Sequence, residues 1–106
     1  MDRKERVTEK INAEFQQFRE EMLVSPQVTL FDKCKQIWFY CCIQEYFQTN
    51  EELSEEILEM AESESFLIRI AWWFYIKNEY SGCESWKEIN TMLLEMYRNG
   101  KRRGVK

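Results

Sequence analysis

The chain has no histidine in its 106 residues. That removes the commonest general base, the usual activator of a serine or cysteine nucleophile and a major metal ligand, so an enzyme is not expected. Glycine occurs three times and proline once, against 15% aromatic residues, which argues against disorder and against a turn-rich all-β fold. No apolar run approaches the ~20 residues that cross a bilayer. Met1 leads straight into the charged segment DRKER with no apolar region behind it, so no secretion signal is read and a cytoplasmic location is expected. The four cysteines are then reduced thiols.

What is present is charge, unevenly placed. Arg98, Lys101, Arg102, Arg103 and Lys106 make the last nine residues strongly basic, whereas the formal net charge is −4, so the acid lies in residues 1–97. An acidic body repels nucleic acid and anionic membranes over about a Debye length, so any contact with a polyanion falls to the tail. The length suits one domain over residues 1–97, with 98–106 as a disordered basic tail.

Apolar periodicity predicts about five helices. From Arg3 to Val24, Val7, Ile11, Phe15, Phe18 and Met22 form one narrow stripe, closed by Ser25-Pro26. A second helix over 26–48 is apolar on two sides. Leu30, Phe31, Cys34, Ile37, Trp38 and Cys41 read as its core face, while Phe39, Tyr40, Ile43 and Phe47 form a second stripe that is either sandwiched or turned to a partner. A third, acidic helix follows a cap at Thr49 or Asn50 and is held by Leu53, Ile57, Met60 and Ala61. The stretch FLIRIAWWFYIK, residues 66–77, is apolar all round and reads as a central helix capped by Ser63 or Ser65 and wrapped by the others. A fifth helix starts at a Ser85/Glu88 capping box, carries Trp86, Ile89, Met92, Leu93, Met96 and Tyr97, and stops at Asn99-Gly100. The fold expected is all-α, a compact bundle with 66–77 at its centre; the alternative is α+β, with QIWFYCCI and FLIRIAWWFY as buried strands.

Four features could carry chemistry. Glu52, Glu55, Glu56, Glu59 and Glu62 form a carboxylate band, read either as a solvated face or as an imitation of a phosphate backbone that blocks a nucleic-acid-processing enzyme. Arg69, alone in an apolar helix, requires a carboxylate if buried, since an unpaired guanidinium costs on the order of several kcal/mol. Glu45 is the expected partner; the functional alternative is an anionic ligand between Trp72 and Trp73. Cys34, Cys41, Cys42 and Cys83 have the wrong spacing for structural zinc and read as small core hydrophobes, so neither metal nor cofactor is expected. The tail lacks the interleaved aromatics of a nucleic-acid reader.

The segments KINAEFQQF, Ser25-Pro26 with the helix after it, and IAWWFYIKNEYSGCESWKEINTML resemble a family of small helical proteins of unknown function encoded by Gram-positive gut bacteria, often near mobile elements. The resemblance implies a bacterial, intracellular protein without catalytic residues. The expected function is therefore a small interaction module that binds a protein or itself, with Phe39, Ile43 and Phe47 as the dimer stripe.

Overall fold

The computed structural model describes residues 2–80 and 86–104, the last four as backbone only. Those residues form six helices and no strand: α1 (Arg3–Leu23), α2 (Gln27–Asp32), α3 (Cys34–Thr49), α4 (Glu55–Ser63), α5 (Leu67–Lys77) and α6 (Trp86–Gly104). The all-α expectation holds, and the two aromatic runs are helices. None of the helices among the described residues is long and apolar enough to cross a membrane.

α1 follows its sequence closely. Asp2 caps it by accepting the Glu5 N–H at 2.8 Å, and Val7, Ile11, Phe18 and Met22 are its buried stripe. It ends at Leu23, just ahead of Ser25-Pro26. The expected second helix is broken at Lys33 into α2 and α3, and the more deeply buried face of α3 is the second stripe rather than the expected core face, of which Ile37 and Trp38 are half-buried against the core. Phe39, Ile43, Tyr46 and Phe47 are fully buried and Tyr40 nearly so, while Cys34 and Cys41 are exposed and Phe31, on α2, is 80% exposed. The proposed partner stripe Phe39, Tyr40, Ile43 and Phe47 is therefore core. The reason is area. Each large aromatic side chain can remove about 150–250 Å² from water, and the inward side of α3 carries four of them with Ile43, whereas the other side has one, Trp38, with Ile37 and two cysteines.

This makes α3 the hub, packed on α1, α2, α5 and α6. Phe18 of α1 stacks on Tyr40 with centroids 3.8 Å apart, and Phe39 meets Trp72 and Tyr75 of α5. The Tyr46 hydroxyl donates to Asn90 Oδ1 of α6 at 2.8 Å, and burial pushes its pKa up to about 12.

α5 forms where expected but is a wall rather than the centre. Leu67, Ile68, Ala71 and Tyr75 face the core, while Ile70, Trp73 and Ile76 face out. A bundle of this length buries one stripe of each short helix, and α3 already occupies the middle. Asn78 caps the C-terminus of α5, and Glu79 follows with φ 54°. The Glu79 N–H donates to the Ile76 carbonyl and the Tyr80 N–H to that of Tyr75, which is a Schellman closure with glutamate at the left-handed position. The expected Ser81-Gly82 break, Cys83 and the Ser85 cap lie outside the described residues.

Two other ends differ from expectation. Ser54, not Thr49 or Asn50, caps α4 by accepting the Ile57 N–H at 3.3 Å, while Asn50 Oδ1 takes the Glu52 N–H in a local turn. α6 runs through Asn99 and Gly100 to Gly104, past the stop expected there. One interior glycine costs a helix only about 1 kcal/mol, and the Lys101-Arg102-Arg103 run has the charge that a helix C-terminus favours.

Candidate protein-binding surfaces

The polar side of α1 reaches the junction between α4 and α5. Arg3 pairs with Glu55 and Glu62, Arg6 Nη2 lies 3.5 Å from Glu62, and Lys10 Nζ donates to the Glu62 carbonyl at 2.8 Å. The Arg3 hydrogen bond, with the Arg3 charge and Arg6 behind it, holds the Glu62 carboxyl below the usual carboxylate range against the opposing effect of desolvation. The α1 cations also offset the glutamates whose charge opposes the dipole at the C-terminus of α4. One turn further along α1, Glu14 accepts the Ile68 and Arg69 N–H groups, both at 2.9 Å. α5 has no capping side chain of its own, so a carboxylate from another helix does that work. Burial pushes the Glu14 carboxyl up, and the two N–H bonds with the Arg69 and Lys10 charges pull it only partly back. In the sequence Glu14 is one more charged residue of α1, with Arg19 five positions on. Its position one turn from Ile11 and Phe18 was the available signal that it borders the core.

The Arg69–Glu45 pair does not form. Both residues are exposed, so Arg69 needs no buried counter-charge, and its guanidinium rests over the Phe66 ring, 5.8 Å from the centroid. The carboxylate band stays on the surface but is partly engaged: Glu55 and Glu62 with Arg3, and Glu59 with the Tyr97 hydroxyl at 2.7 Å. Glu52 and Glu56 are exposed. Cys34 and Cys41 are exposed rather than core, and Cys42 is half-buried; burial pushes the thiols of Cys41 and Cys42 up, away from the nucleophilic thiolate. No cluster of metal-ligating side chains exists among the described residues.

Trp72 and Trp73, expected to share one pocket, lie on opposite sides of α5. Trp73 borders a groove of about 800 Å³ between α4, α5 and the C-terminal half of α6. Met60 and Met96 are buried in its floor, Ile70, Phe74 and Tyr97 line it, and Trp73 is 71% exposed at its edge. Glu59 and Glu64 are on the α4 side, Lys77 on the α5 side. Trp72 belongs to a second cleft of about 630 Å³ with Tyr75, Ile76 and Tyr80 of the α5 side and Asp32 to Gln36 of the α2–α3 bend. There Trp72, Tyr75 and Tyr80 stack in sequence, and Lys35 Nζ sits 5.5 Å from the Tyr75 centroid. Arg69 lines neither.

A third feature projects from the bundle. At the elbow between α1 and α2, Leu23 is 68%, Val24 85%, Val28 73% and Phe31 80% exposed, and α2 buries no residue. Sequence reading assigned Phe31 to the core because it continued the helix past Lys33.

No family model, curated protein or solved structure matches the chain. The resemblance to the gut-bacterial family rests on sequence pattern alone.

Proposed function

We propose that the chain is a small non-enzymatic protein-binding module that receives an apolar helix in the groove between α4, α5 and α6. One observation carries the reading. A tryptophan, 71% exposed, stands at the edge of a methionine-floored groove of about 800 Å³. An exposed Trp beside apolar neighbours is unfavourable in water, and Trp is the residue most enriched where binding energy concentrates. Methionine floors adapt to different side chains, as helix-receiving grooves require. Glu59 and Glu64 favour a ligand with basic flanks. The absence of histidine from the sequence and the raised thiol pKa values support a binding rather than a catalytic role.

The competing reading, an acidic inhibitor of a nucleic-acid enzyme, needs its glutamates available. Glu55 and Glu62 are already tied to α1, which leaves a thinner charge pattern than the sequence suggested. The groove is the stronger candidate.

Selection from a displayed library of helical peptides tests the proposal. Binders should carry apolar residues at i, i+3 or i+4, and i+7 with Lys or Arg at the flanks, and should lose the protein when Trp73→Glu is introduced. If no selected peptide depends on Trp73, the groove is not the binding site.

A further inference from the structure

We infer that the groove is occupied by the α1–α2 elbow of a second copy of this chain, so that the protein assembles by inserting Val28 and Phe31 of one copy beside Trp73 of the next. The inference rests on the groove being a protein-binding site, as proposed above, and names its occupant.

The two surfaces are complementary in shape and in charge. The elbow is convex and apolar, a six-residue helix with no buried side chain and two of the most exposed hydrophobics of the molecule, Val28 and Phe31. A helix that short is not stable by itself, and its main packing partner is α3. The groove is concave and apolar, with an adaptable floor. Around the elbow Arg19, Glu20 and Glu21 precede the apolar residues with a net negative charge, and Asp32, Lys33 and Lys35 follow them with a net positive one; all six are exposed. Around the groove the signs are again divided, Glu64 on the α4 side and Lys77 on the α5 side. An elbow seated with Lys33 toward Glu64 and Glu21 toward Lys77 matches both pairs.

A copy cannot fill its own groove. The end of its α2 lies in the second cleft with Trp72 and Ile76, on the far side of α5 from Trp73. The contact is therefore between copies, and it joins two different surfaces. Two copies close if each gives its elbow to the other; otherwise the same contact builds a ring or an open chain. The surfaces are small, which places the association in the weak class and calls for measurement at high concentration.

Sedimentation velocity on the full chain, up to about 0.5 mM as befits a small interface, gives the test. The wild type should show an average mass that rises with concentration above that of one copy. Phe31→Glu, which breaks the elbow, and Trp73→Glu, which breaks the groove, should each be monomeric while melting as the wild type does, since both side chains are outside the core. Ile70→Glu serves as a second groove variant if Trp73→Glu fails to fold. The decisive sample is the mixture. A Phe31→Glu copy keeps its groove and a Trp73→Glu copy keeps its elbow, so mixing them should give a 1:1 dimer and nothing larger. A wild type that stays monomeric at the highest concentration overturns the inference. So does a mixture that remains monomeric while the wild type grows beyond a dimer through single contacts, or one no more associated than either variant alone at a concentration well above that at which a two-contact wild-type dimer forms, because elbow-to-elbow or groove-to-groove contact would then explain the assembly. A monomeric wild type whose groove still selects Trp73-dependent peptides removes the second copy as occupant and leaves the binding role of the groove in place.

Discussion

Removing the carboxylate of Glu14 should unfasten the first turn of α5. In the native chain that carboxylate takes the Ile68 and Arg69 N–H groups, while the first intrahelical bond of α5 runs from Ile70 N–H to the Phe66 carbonyl. In Glu14→Ala the two donors fare differently. Arg69 is exposed and its N–H can turn to water; Ile68 is a fully buried residue, and its part-buried N–H loses its partner. An orphaned buried donor costs about 1–3 kcal/mol and a lost cap about 0.5–2. The raised carboxyl pKa means that burying the charge already opposes folding, so the variant recovers part of that loss. The expected net change is about 2 kcal/mol, which for a domain of this size lowers Tm by about 10 °C. Glu14→Gln keeps one acceptor oxygen and should lose roughly half as much.

The pH dependence has a definite sign. A carboxyl raised on folding binds its proton more tightly in the native state than in the unfolded one. Its contribution is then full below the unfolded pKa and is lost as pH rises through the folded value. Wild type should therefore lose stability relative to Glu14→Gln as pH rises from about 4 through the raised value. Urea denaturation followed by circular dichroism measures both quantities, and amide exchange at Ile68 and Arg69 localises them. A loss below about 0.5 kcal/mol in Glu14→Ala, less than even a weak cap is worth, would refute the argument. So would a wild type that gains on Glu14→Gln over that pH window.

Three further substitutions test other parts of the fold. Ile43→Ala should destabilise by about 2–5 kcal/mol and Cys41→Ala by less than about 0.5, because the first empties the hub and the second trims the surface; equal effects in urea denaturation would restore the expected faces of α3. Glu79→Gly should stabilise by about 0.5–1 kcal/mol, since only glycine adopts a positive φ without steric penalty, and an unchanged or lower Tm would contradict the strain assigned to that position. Glu62→Gln should flatten the acid limb of the stability profile. The Glu62 carboxyl is lowered on folding, so its contribution is present above the unfolded pKa and is lost as pH falls through the folded value; an acid limb as steep as that of the wild type would show that the Arg3 and Arg6 contacts do not persist in solution.

Sequence reading recovered the elements better than their orientation. α1, α4 and α6 turn the way apolar periodicity puts them, because a single stripe on a charged helix has only one way to turn. α3 has two stripes, and the period alone cannot choose between them. Counting volume would have chosen correctly: Tyr46 lies on the side of Phe39 and Ile43 and was left out of the comparison, while two of the residues on the opposite side are cysteines. The same error hid the elbow, since Phe31 was read as continuing a helix that bends at Lys33. The apolar wall of α5 was visible as composition but not as surface. Whether a helix apolar all round is wrapped depends on how many neighbours the chain can supply, and α3 takes most of them. Contacts between distant helices, Glu14 to α5 and Arg3 to α4, have no local pattern at all.

The long-range contacts of α1 also bear on the groove, to which α1 contributes no residue. Arg3, Arg6 and Lys10 fasten the C-terminal half of α4, and Glu14 fastens the first turn of α5. The segment between those helices is only three residues long, Glu64 to Phe66, so α1 holds both walls of the groove at their junction. Without the contacts to α1, α5 could roll its Ile70 and Trp73 side onto α4, burying the apolar surface within the molecule and closing the groove. The electrostatics oppose that roll, because it would pull Ile68 N–H from Glu14. A groove held open in this way incurs less ordering cost when a helix enters. The acidic character of α4 thus acts on the groove indirectly, by giving α1 something to hold.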